Sequence, residues 1–177
     1  MYDNVIERVL FSEEELKTRI KELGAEIGRE YAGRKPLMIG ILKGSVMFFA
    51  DLLREIEGDL EIDFMAISSY GNGVKSSGEV KMIKDLDHKI EGKDVIIVED
   101  IVDSGYTMKY LTGMLSARNP ASIRICTLLD KPSRRETDVR VDYKGFEVGD
   151  EFVGLDYAGL YRNVPFIGIL KRSVYEH

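Results

Sequence analysis

The sequence predicts an α/β protein with a largely parallel, twisted sheet flanked by helices. Short continuous apolar runs, such as Leu37 to Leu42 and Val95-Ile-Ile-Val98, suit strands buried on both faces. Segments with helical apolar spacing alternate with them, which is the pattern of crossover units. The chain has 177 residues, enough to bury one sizeable core. No internal repeat, low-complexity tract or linker divides it, so residues 1–177 read as a single domain.

The elements follow in order. Ser12 with Glu15 forms a capping-box signature. Leu16, Ile20, Leu23, Ile27 and Tyr31 then recur at helical spacing, until Gly33 and Pro36 stop the helix. A strand over Leu37 to Leu42 leads through Lys43-Gly44-Ser45 into a helix from Val46 to Ile56. Leu60 to Ser68 reads as another strand. The stretch Ser68 to Gly78, rich in Gly and Ser and without periodicity, is longer than an ordinary connection and reads as a functional or mobile loop. Strands are expected at Glu79 to Asp85, Asp94 to Val98, Ala121 to Leu129, Val139 to Val148 and Pro165 to Leu170. A helix from Tyr106 to Arg118 ends at Asn119-Pro120.

Composition mostly excludes. Apolar residues make up 44% and charged residues 32%, which argues against disorder and coiled coil. A single cysteine, Cys126, leaves no internal disulfide and no four-cysteine zinc site. His88 and His177 are the only histidines, a poor basis for a His-rich metal site or a Ser-His-Asp triad. The net charge of −6 and pI near 5.1 give no bulk attraction to nucleic acid or anionic membrane. No apolar run approaches the ~20 residues of a membrane span, and the first residues lack a signal-peptide pattern. A cytoplasmic protein without membrane or nucleic-acid partners is expected.

The segment Val98-Glu-Asp-Ile-Val-Asp-Ser-Gly-Tyr-Thr107 carries the most chemistry. A buried strand runs into Glu99, Asp100 and Asp103, then a glycine turn, then a helix. Carboxyl ends of parallel strands are where ligands bind in such sheets. A helix start preceded by a glycine turn presents free N–H groups and a positive dipole end, which suit a phosphate. Ser104 and Thr107 can add hydroxyl donors. Glu99 and Asp100, adjacent on an extended chain, point to opposite sides. Hard oxygen ligands beside a phosphate site suggest Mg²⁺. The bland alternative is a helix cap whose acids complement the dipole. That would explain one acid, not three followed by Ser-Gly-Tyr-Thr. The P-loop spacing is absent.

This segment resembles the phosphoribosyl-pyrophosphate motif of type I phosphoribosyltransferases. The remainder is similar to their hypoxanthine-guanine branch over nearly the whole chain, through Leu42-Lys43-Gly44-Ser45, Ser69-Tyr70, Leu128-Leu-Asp-Lys131 with Arg135, and Leu155-Asp156-Tyr157 with Arg162. The resemblance implies the type I fold, with a small hood region built from the N-terminal and C-terminal segments. It implies transfer of a phosphoribosyl group from phosphoribosyl pyrophosphate to a 6-oxopurine, with Mg²⁺, in a homodimer or homotetramer. By resemblance, Glu99 and Asp100 lie near the ribose hydroxyls and Mg²⁺, with Asp156 at a second Mg²⁺. Asp103 faces the purine N7 as general acid/base. Residues Asp103, Ser104, Gly105, Tyr106 and Thr107 hold the 5′-phosphate. Lys43 and Gly44 offer the pyrophosphate a turn whose first peptide bond can be cis. Lys131 donates to the purine O6, where an ordinary surface lysine is the bland alternative. Phe152 stacks on the base, where core packing is the alternative, and the Val153 backbone meets its edge. Arg135 and Arg162 lie on the pyrophosphate side, and Ser69 to Ser77, with Tyr70, closes over the site. Only Val-Gly-Leu separates Phe152 from Asp156, a shorter segment than the family pattern.

Three other readings compete. One is a xanthine-preferring or pyrimidine enzyme of the same fold; Lys131 and Phe152 favour purines. Another is a non-catalytic regulator that senses phosphoribosyl pyrophosphate or binds RNA. The third is a sugar-phosphate binding module without catalysis. A pure sensor need not keep Asp103, and an RNA binder should show a basic face.

Overall fold

The computed structural model describes residues 4–69, 80–153 and 164–175. Its elements are β1 (Ile6–Phe11), α1 (Glu13–Glu30), β2 (Leu37–Leu42), α2 (Val46–Glu55), β3 (Glu61–Ser69), β4 (Val80–Lys84) and β5 (Asp94–Val102). They continue with α3 (Tyr106–Ser116), β6 (Ser122–Asp130), a 3-10 turn (Pro132–Arg134), β7 (Tyr143–Glu147), β8 (Ile167–Leu170) and α4 (Arg172–Tyr175).

Six strands form one sheet in the order β4-β3-β2-β5-β6-β7. All neighbours are parallel except β4, which runs antiparallel to β3 at the edge. Side-chain alternation along the central strands sorts the core into two layers. Met38, Ile96 and Val98 face Ile20, Leu23 and Ile27 of α1 and Phe48, Phe49 and Leu52 of α2. Leu37, Ile39, Ile41, Val95 and Ile97 face Met108, Leu111 and Leu115 of α3. The chain leaves β2 for β3 on one side and returns as β5 on the other. That reversal opens a crevice at the carboxyl ends of β2 and β5, the usual binding position in open α/β sheets.

The helix over α1 starts as its sequence dictates. Ser12 Oγ accepts from Glu15 N–H, and the Glu15 carboxylate accepts from Ser12 N–H at 2.8 Å. Gly24 lets α1 approach α2. A Cβ there would lie 2.5 Å from Glu55 Cβ and 2.6 Å from the Glu55 carbonyl. The Lys131 end of β6 and the β5 end are tied by Lys131 N–H donating to Val102 O at 3.0 Å.

Three sequence expectations change. The Pro165 to Leu170 segment does not join the main sheet; β8 pairs antiparallel with β1 in a separate two-stranded sheet. β1 itself, unread in the sequence, pairs Ile6 with Leu170, a contact too distant along the chain for local patterning to reveal. The strand expected from Val139 shortens to Tyr143–Glu147. The Val139 carbonyl is taken by the Arg135 guanidinium, and the Asp142 carboxylate accepts from Ile125 N–H. β5, finally, extends to Val102, so Glu99 and Asp100 are strand residues. Among the described residues, no helix is long and apolar enough to cross a membrane.

Two stability predictions follow from this packing. Gly24→Ala should lower the unfolding free energy by about 1–3 kcal/mol in denaturant titrations, because the helix pair must separate to admit one methyl. Arg118 grips Asp85 with two bonds of 2.8 Å, holding that carboxyl below its ordinary range. A folded-state pKa that is depressed gives stability above the unfolded value near ~3.9 and loses it as pH falls through the lowered value. Asp85→Asn should therefore cost about 0.2–1 kcal/mol at neutral pH, since the pair is partly exposed. Wild type and variant should converge in unfolding measurements at about pH 2.

Candidate active site

The β2/β5 crevice is a cleft of about 320 Å³ lined by Leu42, Gly44, Glu99, Asp100, Asp103, Ser104, Gly105 and Thr107, among others. On one wall, the Leu42–Lys43 peptide is cis. Lys43 is exposed, and the turn closes through Ser45, whose buried hydroxyl donates to Ile41 O at 2.7 Å. Gly44 lies directly against Asp100: a Cβ would sit 2.9 Å from the carboxylate carbon. The absence of a side chain is what leaves this approach open.

The other wall is the end of β5. Glu99 and Asp100 are both buried, an expensive position for carboxylates in low dielectric unless charge or hydrogen bonds compensate. Glu99 accepts from Asp100 N–H, and Asp100 accepts from Ile101 N–H at 2.8 Å. Asp100 also borders a second cavity beside Phe48 and Leu128, between α1, α2 and Val164 to Ile167. Among the described residues, no group of three or more His, Cys, Asp or Glu is placed to hold a metal. A pair of carboxylates suits Mg²⁺, which takes one or two and keeps several waters.

Beyond β5 the chain turns into α3. Gly105 caps the helix with φ 91°, a left-handed conformation that favours glycine, and no side chain caps the first turn. The first-turn N–H groups have no acceptor within their own helix. With the helix dipole, such a turn is suited to an anion such as a phosphate. The first turn carries no acid that would oppose an anion.

Arg134, Glu136 and Asp138, which sequence reasoning missed, support this turn from behind together with Arg135. Arg134 Nε donates to Asp103 Oδ1 at 2.8 Å, and Arg135 Nε donates to the Asp103 carbonyl at 3.1 Å. Glu136 N–H donates to Ser104 O at 2.9 Å, Tyr106 Oη donates to the Glu136 carboxylate at 2.9 Å, and Lys109 pairs with Asp138 at 3.1 Å. The signal available was six charged residues among the nine from Asp130 to Asp138, directly after a strand. Tyr106 therefore lies on the outer side of the turn, its hydroxyl engaged away from the cleft. Arg135 is also turned inward, onto Asp103 O, Val139 O and the Asp130 carboxylate.

Lys131 is buried, and its ammonium donates to Glu151 O at 2.9 Å. The next residue, Phe152, has a half-exposed ring, while its carbonyl accepts from Leu170 N–H. Val153 is buried and bridges Ile169. Lys131 and Phe152 thus come together beside the two-stranded β1–β8 sheet. Tyr70, Asp156 and Arg162, the Phe152 to Asp156 spacing, and most of the Ser69 to Ser77 loop lie outside the described residues. Ser69 is placed only as the last residue of β3. The Cys126 thiol is buried and its pKa pushed far up by burial, so it takes no part.

Comparison with known proteins shows the family. Residues 10–162 fit the phosphoribosyl transferase domain family. A hypoxanthine-guanine phosphoribosyltransferase of Bacillus subtilis is 56% identical over 99% of both chains. A bifunctional TilS/HprT protein of Listeria monocytogenes is 53% identical over 97% of this chain, which spans 27% of that protein. The crystal structure of a hypoxanthine phosphoribosyltransferase from Staphylococcus aureus superposes with a TM-score of 0.94, at 48% identity, covering 100% of this chain and 97% of that one. This chain belongs to the phosphoribosyl transferase family and, within it, to the hypoxanthine-guanine phosphoribosyltransferases.

Gly105 is the most exacting position in the site. A Cβ there would meet Thr137 and lie 2.8 Å from Arg135 Cδ, in addition to the left-handed backbone. Gly105→Ala should cost about 1–3 kcal/mol of stability, measured by thermal unfolding.

Proposed function

We propose that this cleft binds phosphoribosyl pyrophosphate and transfers its phosphoribosyl group to hypoxanthine or guanine, giving IMP or GMP and pyrophosphate in purine salvage. The observation that carries the reading is the turn from β5 to α3: two buried carboxylates, then Asp103, then a glycine-started helix whose first turn no side chain caps.

The chemistry fits these groups. Breaking the sugar–pyrophosphate bond builds positive charge on the ribose and negative charge on the leaving group. Positioning and charge stabilisation therefore matter more than a covalent nucleophile. The first-turn N–H groups of α3, with Ser104 and Thr107, hold the 5′-phosphate. Glu99 and Asp100 hold the ribose hydroxyls and are the residues that would bind Mg²⁺. When bound, Mg²⁺ supplies charge neutralisation for the pyrophosphate. The Lys43-Gly44 turn faces the leaving pyrophosphate. As purine N9 forms its bond to the ribose C1′, the C1′–oxygen bond breaks and its electron pair leaves with pyrophosphate. The N7 proton passes to the Asp103 carboxylate.

Lys131 recognises the 6-oxo group. An adenine would leave this buried ammonium facing another donor, a penalty that rejects it. Phe152 offers its half-exposed ring for stacking, and the anchored backbone at Val153 meets the base edge. Arg135, with its donors committed to the protein, braces the phosphate turn; this replaces the pyrophosphate-side role that the sequence suggested. Asp156 at a second Mg²⁺, Arg162 at the pyrophosphate, and Ser69 and Tyr70 in a closing loop are assigned by family resemblance. The β1–β8 sheet serves as the hood. The same reading takes the enzyme as a cytoplasmic homodimer or homotetramer.

A spectrophotometric assay with phosphoribosyl pyrophosphate, Mg²⁺ and, in turn, hypoxanthine, guanine, xanthine, adenine and uracil tests the proposal. Hypoxanthine and guanine should turn over; activity with neither would refute it. Asp103→Asn should lower kcat about 10²–10⁴-fold while leaving nucleotide binding largely intact. Parallel loss of binding and rate would mark Asp103 as a structural cap.

A further inference from the structure

Arg134 is the feature that this scheme does not yet use. It ends the 3-10 turn that begins directly after Lys131, and Pro132 starts that turn with a fixed φ. Arg134 N–H donates to Lys131 O at 3.1 Å, while Lys131 N–H is bonded to the end of β5. The backbone that carries Arg134 is therefore anchored to the same strand end that carries Asp103. Its guanidinium reaches Asp103 through Nε to Oδ1 at 2.8 Å. Among the described residues, Arg134 is the one side chain bonded to that carboxylate, and it engages Oδ1 alone. Neither side chain is deeply buried: Arg134 is 49% and Asp103 43% exposed. A contact made in solvent at this exposure contributes little to stability. Its consequence is orientation.

We propose that Arg134 is the positioning residue for the general base, fixing the Asp103 carboxylate through Oδ1 so that Oδ2 is presented to the purine N7. The inference rests on the reading of Asp103 as proton acceptor. One planar donor group sets the rotation of the carboxylate plane, and the free oxygen then takes the proton without a search among side-chain rotamers. The charges around this pair are mixed. Asp150, before Lys131's partner Glu151, and Glu136, from the segment behind the turn, surround the Arg134 guanidinium with negative charge. Arg135 holds the Asp103 backbone carbonyl, and Glu99 and Asp100 line the same cleft. The purine-reading lysine, the carboxylate-orienting arginine and the turn-bracing arginine so fall within five consecutive residues, Lys131 to Arg135. Base recognition and base activation share one short, anchored segment.

A double-mutant cycle read by single-turnover rates tests this with the intact enzyme. Arg134→Gln should lower the single-turnover rate about 10-fold while KM for phosphoribosyl pyrophosphate changes by less than about 2-fold. Arg134→Lys should restore only part of the single-turnover rate, since it keeps the charge and loses the planar donor. In an Asp103→Asn background, Arg134→Gln should have no further effect. Several results would overturn the proposal: an equal rate loss in both backgrounds, a rise in KM with unchanged single-turnover rate, or loss of the folded state in Arg134→Gln by circular dichroism. If Asp103→Asn itself keeps the wild-type rate, the reading of Asp103 as base has failed, independently of Arg134.

Discussion

The Arg135 guanidinium, packed at the carboxyl ends of β5 and β6, is the contact on which the site's shape depends. It joins the Asp130 carboxylate, the Asp103 carbonyl and the Val139 carbonyl, and its side chain is only 14% exposed. Asp130 is buried as well. Removing one partner of such a pair leaves an uncompensated charge, a cost of about 3–5 kcal/mol. The arrangement fixes the turn from outside. With carbonyls of the turn bonded away from the cleft, its N–H groups are left to face inward. An anion site made of backbone donors needs this kind of support, because the donors have no side-chain geometry of their own to hold them.

The sheet determines where that site can be. Parallel pairing brings the ends of β2, β5 and β6 to one edge, and the reversal of strand order at β2 and β5 leaves an opening between them. The cis-linked Lys43-Gly44 turn, the acidic end of β5 and Lys131 at the end of β6 all arrive there by the same rule. At the cleft, Gly44 and Gly105 give up a side chain so that groups can meet, one against Asp100 and one against Arg135 and Thr137. The glycines matter here for close approach as much as for backbone freedom.

Much of this was legible in the residues, for identifiable reasons. Val95-Ile-Ile-Val98 is a buried strand whatever surrounds it, and a glycine turn after acids at its end has few alternatives. Ser12 and Glu15 form the capping box their spacing predicts. What stayed hidden depends on contacts distant in the chain. β1 exists because it meets β8, more than 150 residues away by the Ile6–Leu170 pairing. Val139 to Asp142 has strand-like residues, but Arg135 and Ile125 claim its polar groups before a ladder can form. Arg135 read as a pyrophosphate-side residue and Arg134 went unread; only the fold shows Arg135 bonded to backbone carbonyls of the turn and Arg134 bonded to the Asp103 carboxylate. The net charge of −6 likewise concealed an anion site, because backbone N–H groups add nothing to the formal count.

The central claim is that the uncapped first turn of α3 receives a phosphate while the end of β5 holds the sugar. A crystal structure with IMP and Mg²⁺ bound tests it most directly. The account predicts the 5′-phosphate within hydrogen-bond distance of the backbone N–H groups from Ser104 to Thr107, the ribose beside Glu99 and Asp100, and the purine N7 facing Asp103. A nucleotide bound with its phosphate elsewhere, such as the cavity beside Phe48 and Leu128 or the groove beside Phe152, would contradict it.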